Sequence, residues 1–186
     1  MSTRHARPII WLHWVTLIAV LSTVALALLR EVIESHALRT DLLTVHRQLG
    51  LVILIGTVTR FLVRWRNPPK AHPSVTVTHR FAAMTHSLMY GLLLALPVIG
   101  VLATQAHGTT VTLFGAPILP TLIERNRDFS EQLVTWHSWG AWTLLAAIGL
   151  HAAAALWHHY VRRDDTLLQM LPPRRRGSTP MLTPDV

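Results

Sequence analysis

Two histidines fourteen residues apart, His137 and His151, sit in one long apolar segment running from Gln132 to Tyr160. A helix advances about 1.5 Å per residue and turns about 100°, so fourteen residues amount to about 21 Å and nearly four whole turns. Both imidazoles then leave one stripe of one helix, one near each side of a hydrocarbon layer about 30 Å thick. Ionisable side chains are costly in lipid, and two on one stripe call for a function. Imidazole is a ligand for iron. Two iron porphyrins stacked across the layer, each gripped by one of these histidines, would use both.

The elements that must hold such groups are legible in the composition. Of 186 residues, 51% are hydrophobic and 14% charged, with a mean hydropathy of +0.36. Four apolar stretches, roughly 8–29, 42–63, 81–104 and 132–160, each reach the ~20 residues that span a bilayer. Lipid offers no partner to an open backbone, so these read as an all-α integral membrane bundle of four spanning helices. The first stretch follows Arg4 and Arg7 like a signal peptide. It is too long for one, and Leu28-Leu29-Arg30-Glu31 is no small-residue cleavage site. It is expected to stay as a helix and carries His13. Residues 1–171 form the expected membrane domain, and 172–186, opening Pro172-Pro173-Arg174-Arg175-Arg176, a flexible basic tail. The chain has no cysteine, which excludes iron–sulfur clusters, thiolate ligation and covalent c-type haem. Redox chemistry is left with histidine-held metal, non-covalent haem or a quinone.

The net charge of +8 is an address rather than a nucleic-acid footprint. Arg4, Arg7, Arg64, Arg66, Lys70, Arg80, Arg162, Arg163 and Arg174-Arg175-Arg176 gather at one face. The other face mixes Arg30, Arg39, Arg125 and Arg127 with Glu31, Glu34, Asp41, Glu124, Asp128 and Glu131. The asymmetry puts both termini in the cytoplasm. Among the links, Glu31–Thr40 reads as a short polar connection and Asn67-Pro68-Pro69 with Pro73 as a stiff one. Pro97 with Gly100 predicts a kink in the third helix. The longest link, Gln105–Ser130, is expected to hold a small lid or surface helix.

Depth sorts the twelve histidines. His5, His36, His72, His79 and His107 fall in links or ends and are expected to be solvated. His13, His46, His86, His137, His151 and His158 lie within the spans. Helix direction places His46 and His137 at the outer level, and His13, His86 and His151 at the inner one. Two axial ligands of one iron must share a depth. His46 therefore suits His137, while His151 can take either His13 or His86. Gly140, Gly50, Ala147, Ala154 and Ala155 flank the histidines; they leave room for a porphyrin or let helices pack closely.

The motifs Ile10-Trp11-Leu12-His13-Trp14, Ala95-Leu96-Pro97-Val98-Ile99-Gly100, Trp136-His137 and Gly149-Leu150-His151-Ala152-Ala153-Ala154-Ala155, continuing to His158-His159-Tyr160, resemble the bacterial cytochrome b561 family over nearly the whole chain. The resemblance implies a four-helix bundle enclosing two haem b groups, with axial His13, His46, His137 and His151. Within the family it is strongest to the superoxide:ubiquinone oxidoreductases. It then implies electrons passing from periplasmic superoxide through both haems to ubiquinone. His86 and His158 lie at the inner level, where imidazole can hydrogen-bond a quinone and exchange a proton. Arg47, Arg125 and Arg127 are the outer cations that would attract an anion such as superoxide. The expected partners are membrane lipid, quinone and superoxide, not nucleic acid; both a monomer and a complex with a partner subunit are compatible with the sequence.

Two other classes fit less well. A cytochrome b anchor subunit would take electrons from a soluble dehydrogenase or hydrogenase partner. A histidine-lined metal transporter would need an intramembrane acidic or histidine chain, whereas here the spans hold almost no carboxylates and the histidines divide into two levels.

Overall fold

Each apolar stretch winds into a helix, because in lipid only a helix satisfies its own backbone. The computed structural model describes residues 7–66, 77–164 and 167–170. It contains α1 (Arg7–Val32), α2 (His36–Arg66), α3 (Val77–Ala106) and α4 (Arg127–Trp157). All four are long and apolar enough to cross a membrane. The proline-rich link at Asn67-Pro68-Pro69 and Pro73, His5, His72 and the tail 172–186 lie outside the described residues.

The helices overrun the apolar windows because polar caps start them early. The Ser35 hydroxyl accepts from Leu38 N–H at 3.5 Å, so α2 begins at His36 and the first link shrinks to residues 33–35. Asn126 caps α4, its side-chain oxygen accepting from Phe129 N–H at 3.0 Å. Pro97 lies inside α3 without interrupting it. The long link holds a hairpin instead of the expected surface helix. Its strands, β1 (Thr112–Leu113) and β2 (Ala116–Pro117), pair antiparallel. Phe114 and Gly115 between them have φ of 50° and 87°, the positive pair that a tight two-residue turn demands. The Gln48 amide fastens this hairpin to α2, donating to Thr112 O and accepting from Phe114 N–H, both at 3.0 Å.

In the bundle α1 packs on α2, α2 on α3, and α3 on α4. The central apolar layer takes one side chain from each helix: Val20, Ile53, Leu96 and Leu144. Ile53 follows His46 by seven residues and Leu144 lies midway between His137 and His151, so this layer separates the two histidine levels by about 10 Å each way. Outward, Trp11, Trp65, Phe81, Trp139 and Trp157 are exposed, as rings facing lipid and its interfaces are. Hydroxyls of Thr16, Thr23, Thr59, Thr85, Thr104 and Thr143 each donate to the carbonyl four residues back, which keeps them satisfied without water.

Gly140 allows α3 and α4 to close. A Cβ there would stand 2.6 Å from Leu96 Cδ2, so this glycine serves close packing, whereas Gly50 and Gly149 have nothing within 4 Å. Gly140→Ala is expected to destabilise by about 1–3 kcal/mol, as overpacking does. Gly149→Ala should hold or gain about 0.5–1 kcal/mol from helix propensity. Melting of the two variants in detergent checks this. Equal midpoints would mean that Leu96 swings aside at no cost.

Candidate functional site

At the end of the bundle covered by the hairpin, α2 and α4 bring His46 and His137 face to face. Their ring centroids are 6.0 Å apart and the planes cross at 63°. His46 Nδ1 lies 3.0 Å from the Thr23 carbonyl of α1, and His137 Nδ1 lies 3.0 Å from the Leu96 carbonyl of α3. A carbonyl only accepts, so each Nδ1 carries the proton and each Nε2 keeps its lone pair. That is the arrangement that orients metal-ligating histidines. Gly100 shapes the slot from α3: a Cβ on it would meet His137 Cε1 at 3.5 Å.

A cavity of about 390 Å³ runs between this pair and the central layer, lined by His46, His137, Gly50, Val20, Ile53 and Leu144 among others. Gly50 leaves space here rather than packing a helix. A second cavity of about 560 Å³ shares His46, His137 and Gly50 and extends past Arg30, Arg47, His107 and Thr112. Of the three arginines expected to attract an anion, Arg47 lines this cavity. The stem of Arg125 lies across Gly108, and Arg127 is exposed and paired with Glu131 at 3.5 Å; neither lines it. Arg30 does, beside Glu31 at 3.4 Å. His107 is exposed, as expected of a link histidine, and stands at the rim of this cavity.

At the opposite end, where α1 begins and α4 ends, three histidines meet. His13 and His151 stand 6.4 Å apart between centroids and His86 and His151 5.1 Å apart. The Arg60 guanidinium of α2 reaches His13 Nδ1 at 3.1 Å and lies 5.7 Å over the Tyr90 ring. His158 stands a further two turns along. There the chain widens into a π-helical turn, His158–Arg162, whose exit returns Asp164 to His158 Nδ1 at 2.5 Å.

These distances allow a test of fit to iron porphyrin. A metal–imidazole bond is about 2.0–2.1 Å, so with a ring radius on each side two trans imidazoles need centroids roughly 6 Å apart. His46 with His137 and His13 with His151 meet that separation, and His86 with His151 falls short of it. Among the described residues no three His, Asp or Glu side chains converge to hold a bare metal ion. The His46–His137 pair fits a haem in both separation and tautomer, while the His13–His151 pair fits in separation, with His13 Nδ1 facing Arg60.

Arg60, Arg30, Gly100 and the two carbonyls were given no part in the site from the sequence. Arg60 was within reach: it follows His46 by fourteen residues, the same spacing that relates His137 to His151. The carbonyl partners carry no sequence signal, since every residue has one.

The sequence model of the family described as prokaryotic cytochrome b561 matches residues 4–173. A probable superoxide oxidase CybB of Yersinia pestis is 33% identical over 171 residues, covering 89% of this chain and 94% of that one. Two proteins of Escherichia coli K12 are also similar. Cytochrome b561 homolog 1 is 28% identical across 92% of this chain and 99% of its own, and homolog 2 is 31% identical across 62% and 63%. With that model matched over nearly the whole chain, and with four helices long and apolar enough to cross a membrane, the chain belongs to the prokaryotic cytochrome b561 family, membrane electron-transfer proteins of the b-haem type.

Proposed function

We propose that the protein oxidises superoxide at its hairpin end and reduces ubiquinone at the opposite end, with one haem b between His46 and His137 and another between His13 and His151. The observation that carries the reading is the two facing imidazole pairs, 6.0 and 6.4 Å apart, at depths separated by fourteen residues of α4. The superoxide donor draws on the name of the Yersinia relative. The arginine asymmetry supports an inner-membrane position with cytoplasmic termini, which makes the hairpin end periplasmic.

A haem iron at each level supplies reversible one-electron transfer when bound. The chain's own residues do the rest. His46 and His137 present Nε2 while the Thr23 and Leu96 carbonyls hold their rings. Val20, Ile53, Leu96 and Leu144 keep water out of the space between the levels. Arg47, together with Arg30 partly offset by Glu31, leaves the mouth of the outer cavity net positive. Two superoxide ions leave as two O₂, and ubiquinone gains two electrons and two protons. His158, held by Asp164, stands where a proton can pass to a quinone oxygen, and His86 lies on the same side of the bundle.

The test is rapid mixing of superoxide with purified protein in the presence of ubiquinone, following haem reduction and quinol formation. Haem reduction that survives dismutase, or occurs only with a co-purifying iron–sulfur partner, would move the protein to the anchor-subunit class. In the same experiment His158→Ala is expected to keep both haems and their reduction by superoxide. Reoxidation by ubiquinone should slow on the order of 10²-fold, the usual contribution of a placed acid. Unchanged quinone turnover would remove His158 from the path.

A further inference from the structure

Among the described residues Arg60 is a cation without an anion. It lies in the inner half of α2, fourteen residues and about 21 Å beyond His46 on the same stripe. None of the ion pairs among the described residues includes it: these are Arg30–Glu31, Arg127–Glu131 and His158–Asp164. Its Nε is buried without a hydrogen-bond partner. So are Thr57 Oγ1, one turn back on the same helix, and the hydroxyl of Tyr90, whose ring lies under the guanidinium. Thr57 is 1% exposed and departs from the habit of the other helical threonines with described side chains, which donate to the carbonyl four residues back.

A guanidinium is never neutral in a protein, and an unpaired one at this depth is costly enough to need a counter-charge. Its one hydrogen-bonded neighbour here is His13 Nδ1 at 3.1 Å. That bond is incompatible with His13 as an axial ligand. Coordination through Nε2 needs the proton on Nδ1, and a protonated Nδ1 cannot accept from Arg60. The hairpin end shows the contrast, since both Nδ1 atoms there face carbonyls. If His13 ligates, Arg60 must bond something else, and it has two orphaned hydroxyls beside it that could bond the same group.

We propose that Arg60 is the counter-charge for an oxyanion bound at the His13–His151 level, either a propionate carboxylate of the haem held there or the oxygen of a reduced quinone. This rests on the two-haem reading. A fixed positive charge beside the inner iron stabilises its reduced form, so Arg60 would also draw electrons from the hairpin end inward. The hydroxyls of Thr57 and Tyr90, neither of which has a hydrogen-bond partner among the described residues, are the further donors for that oxyanion.

The experiment compares Arg60→Leu and Arg60→Lys in detergent, with haem content, a redox titration resolved into its two optical components, and the KM for a short-chain ubiquinone. The inner component is the one that disappears in His151→Ala. With a propionate as the anion, Arg60→Leu lowers the inner midpoint by at least a tenfold change in equilibrium, about 59 mV for a one-electron couple. The outer midpoint stays in place, and Arg60→Lys restores most of the shift. With a quinone oxygen as the anion, the midpoints hold and the quinone KM rises about tenfold instead. Loss of the inner haem in Arg60→Leu with recovery in Arg60→Lys also supports a charge role. Two retained haems with unchanged midpoints and KM overturn the proposal, as does equal loss of the inner haem in both variants, since lysine keeps the charge. A wild-type protein that binds no haem would defeat the two-haem reading itself, before Arg60 is altered.

Discussion

Replacing His137 by alanine is expected to remove one of two haems and leave the other with its low-spin spectrum intact. His46→Ala should do the same, and His13→Ala and His151→Ala should each remove the second haem while sparing the first. The haem-to-protein ratio falls from two to one in every case, which a haemochrome assay reads directly. The physical basis is the roughly 6 Å that two imidazoles on one iron require, met at 6.0 Å by His46 with His137 and at 6.4 Å by His13 with His151. His86→Ala is the discriminating variant. At 5.1 Å from His151 its ring is too near to stand across a metal, so this variant should keep two haems. A haem lost from His86→Ala, with two retained in His13→Ala, would reverse the inner assignment. The outer site is expected to tolerate change least. The Leu96 carbonyl that orients His137 belongs to a residue of the central layer, so ligand and core share one backbone.

Neutralising Arg30 and Arg47 together, as Arg30→Gln with Arg47→Gln, should slow capture of superoxide by about tenfold or more at low ionic strength. Both side chains line the outer cavity shared with His46 and His137, and a concave mouth with apolar walls focuses the field of such cations. The difference from wild type should shrink as salt is raised, because the Debye length falls from about 30 Å at 0.01 M to about 8 Å at 0.15 M. Haem content and spectra should not change. Arg127→Gln is the comparison: exposed and paired with Glu131 outside the cavity, it should leave the rate as it was. Stopped-flow rates across an ionic-strength series make the measurement. A salt-independent loss, or an equal loss in Arg127→Gln, would show that net charge rather than this mouth governs capture.

What the sequence determined by itself is whatever follows from one helix at a time. Rise per residue is fixed, so spacing along the chain becomes depth across the membrane. From that alone came the four spans, the two levels, the matching of His46 with His137, and His13 and His86 as rivals for His151. What one helix cannot tell is its rotation and distance relative to the next, since these follow from how side chains of different helices interlock. Tertiary structure therefore set how far each rival stands from His151, 6.4 Å for His13 and 5.1 Å for His86. It decided that Gly140 closes α3 on α4 against Leu96 while Gly50 leaves a cavity open. It also chose which carbonyls meet the two outer imidazoles, a matter invisible in sequence because every residue offers the same carbonyl. The outer link shows the same limit. Its hairpin depends on Gln48, more than sixty residues away from the strands it fastens, and no local pattern of Thr112–Pro117 announces a partner at that distance.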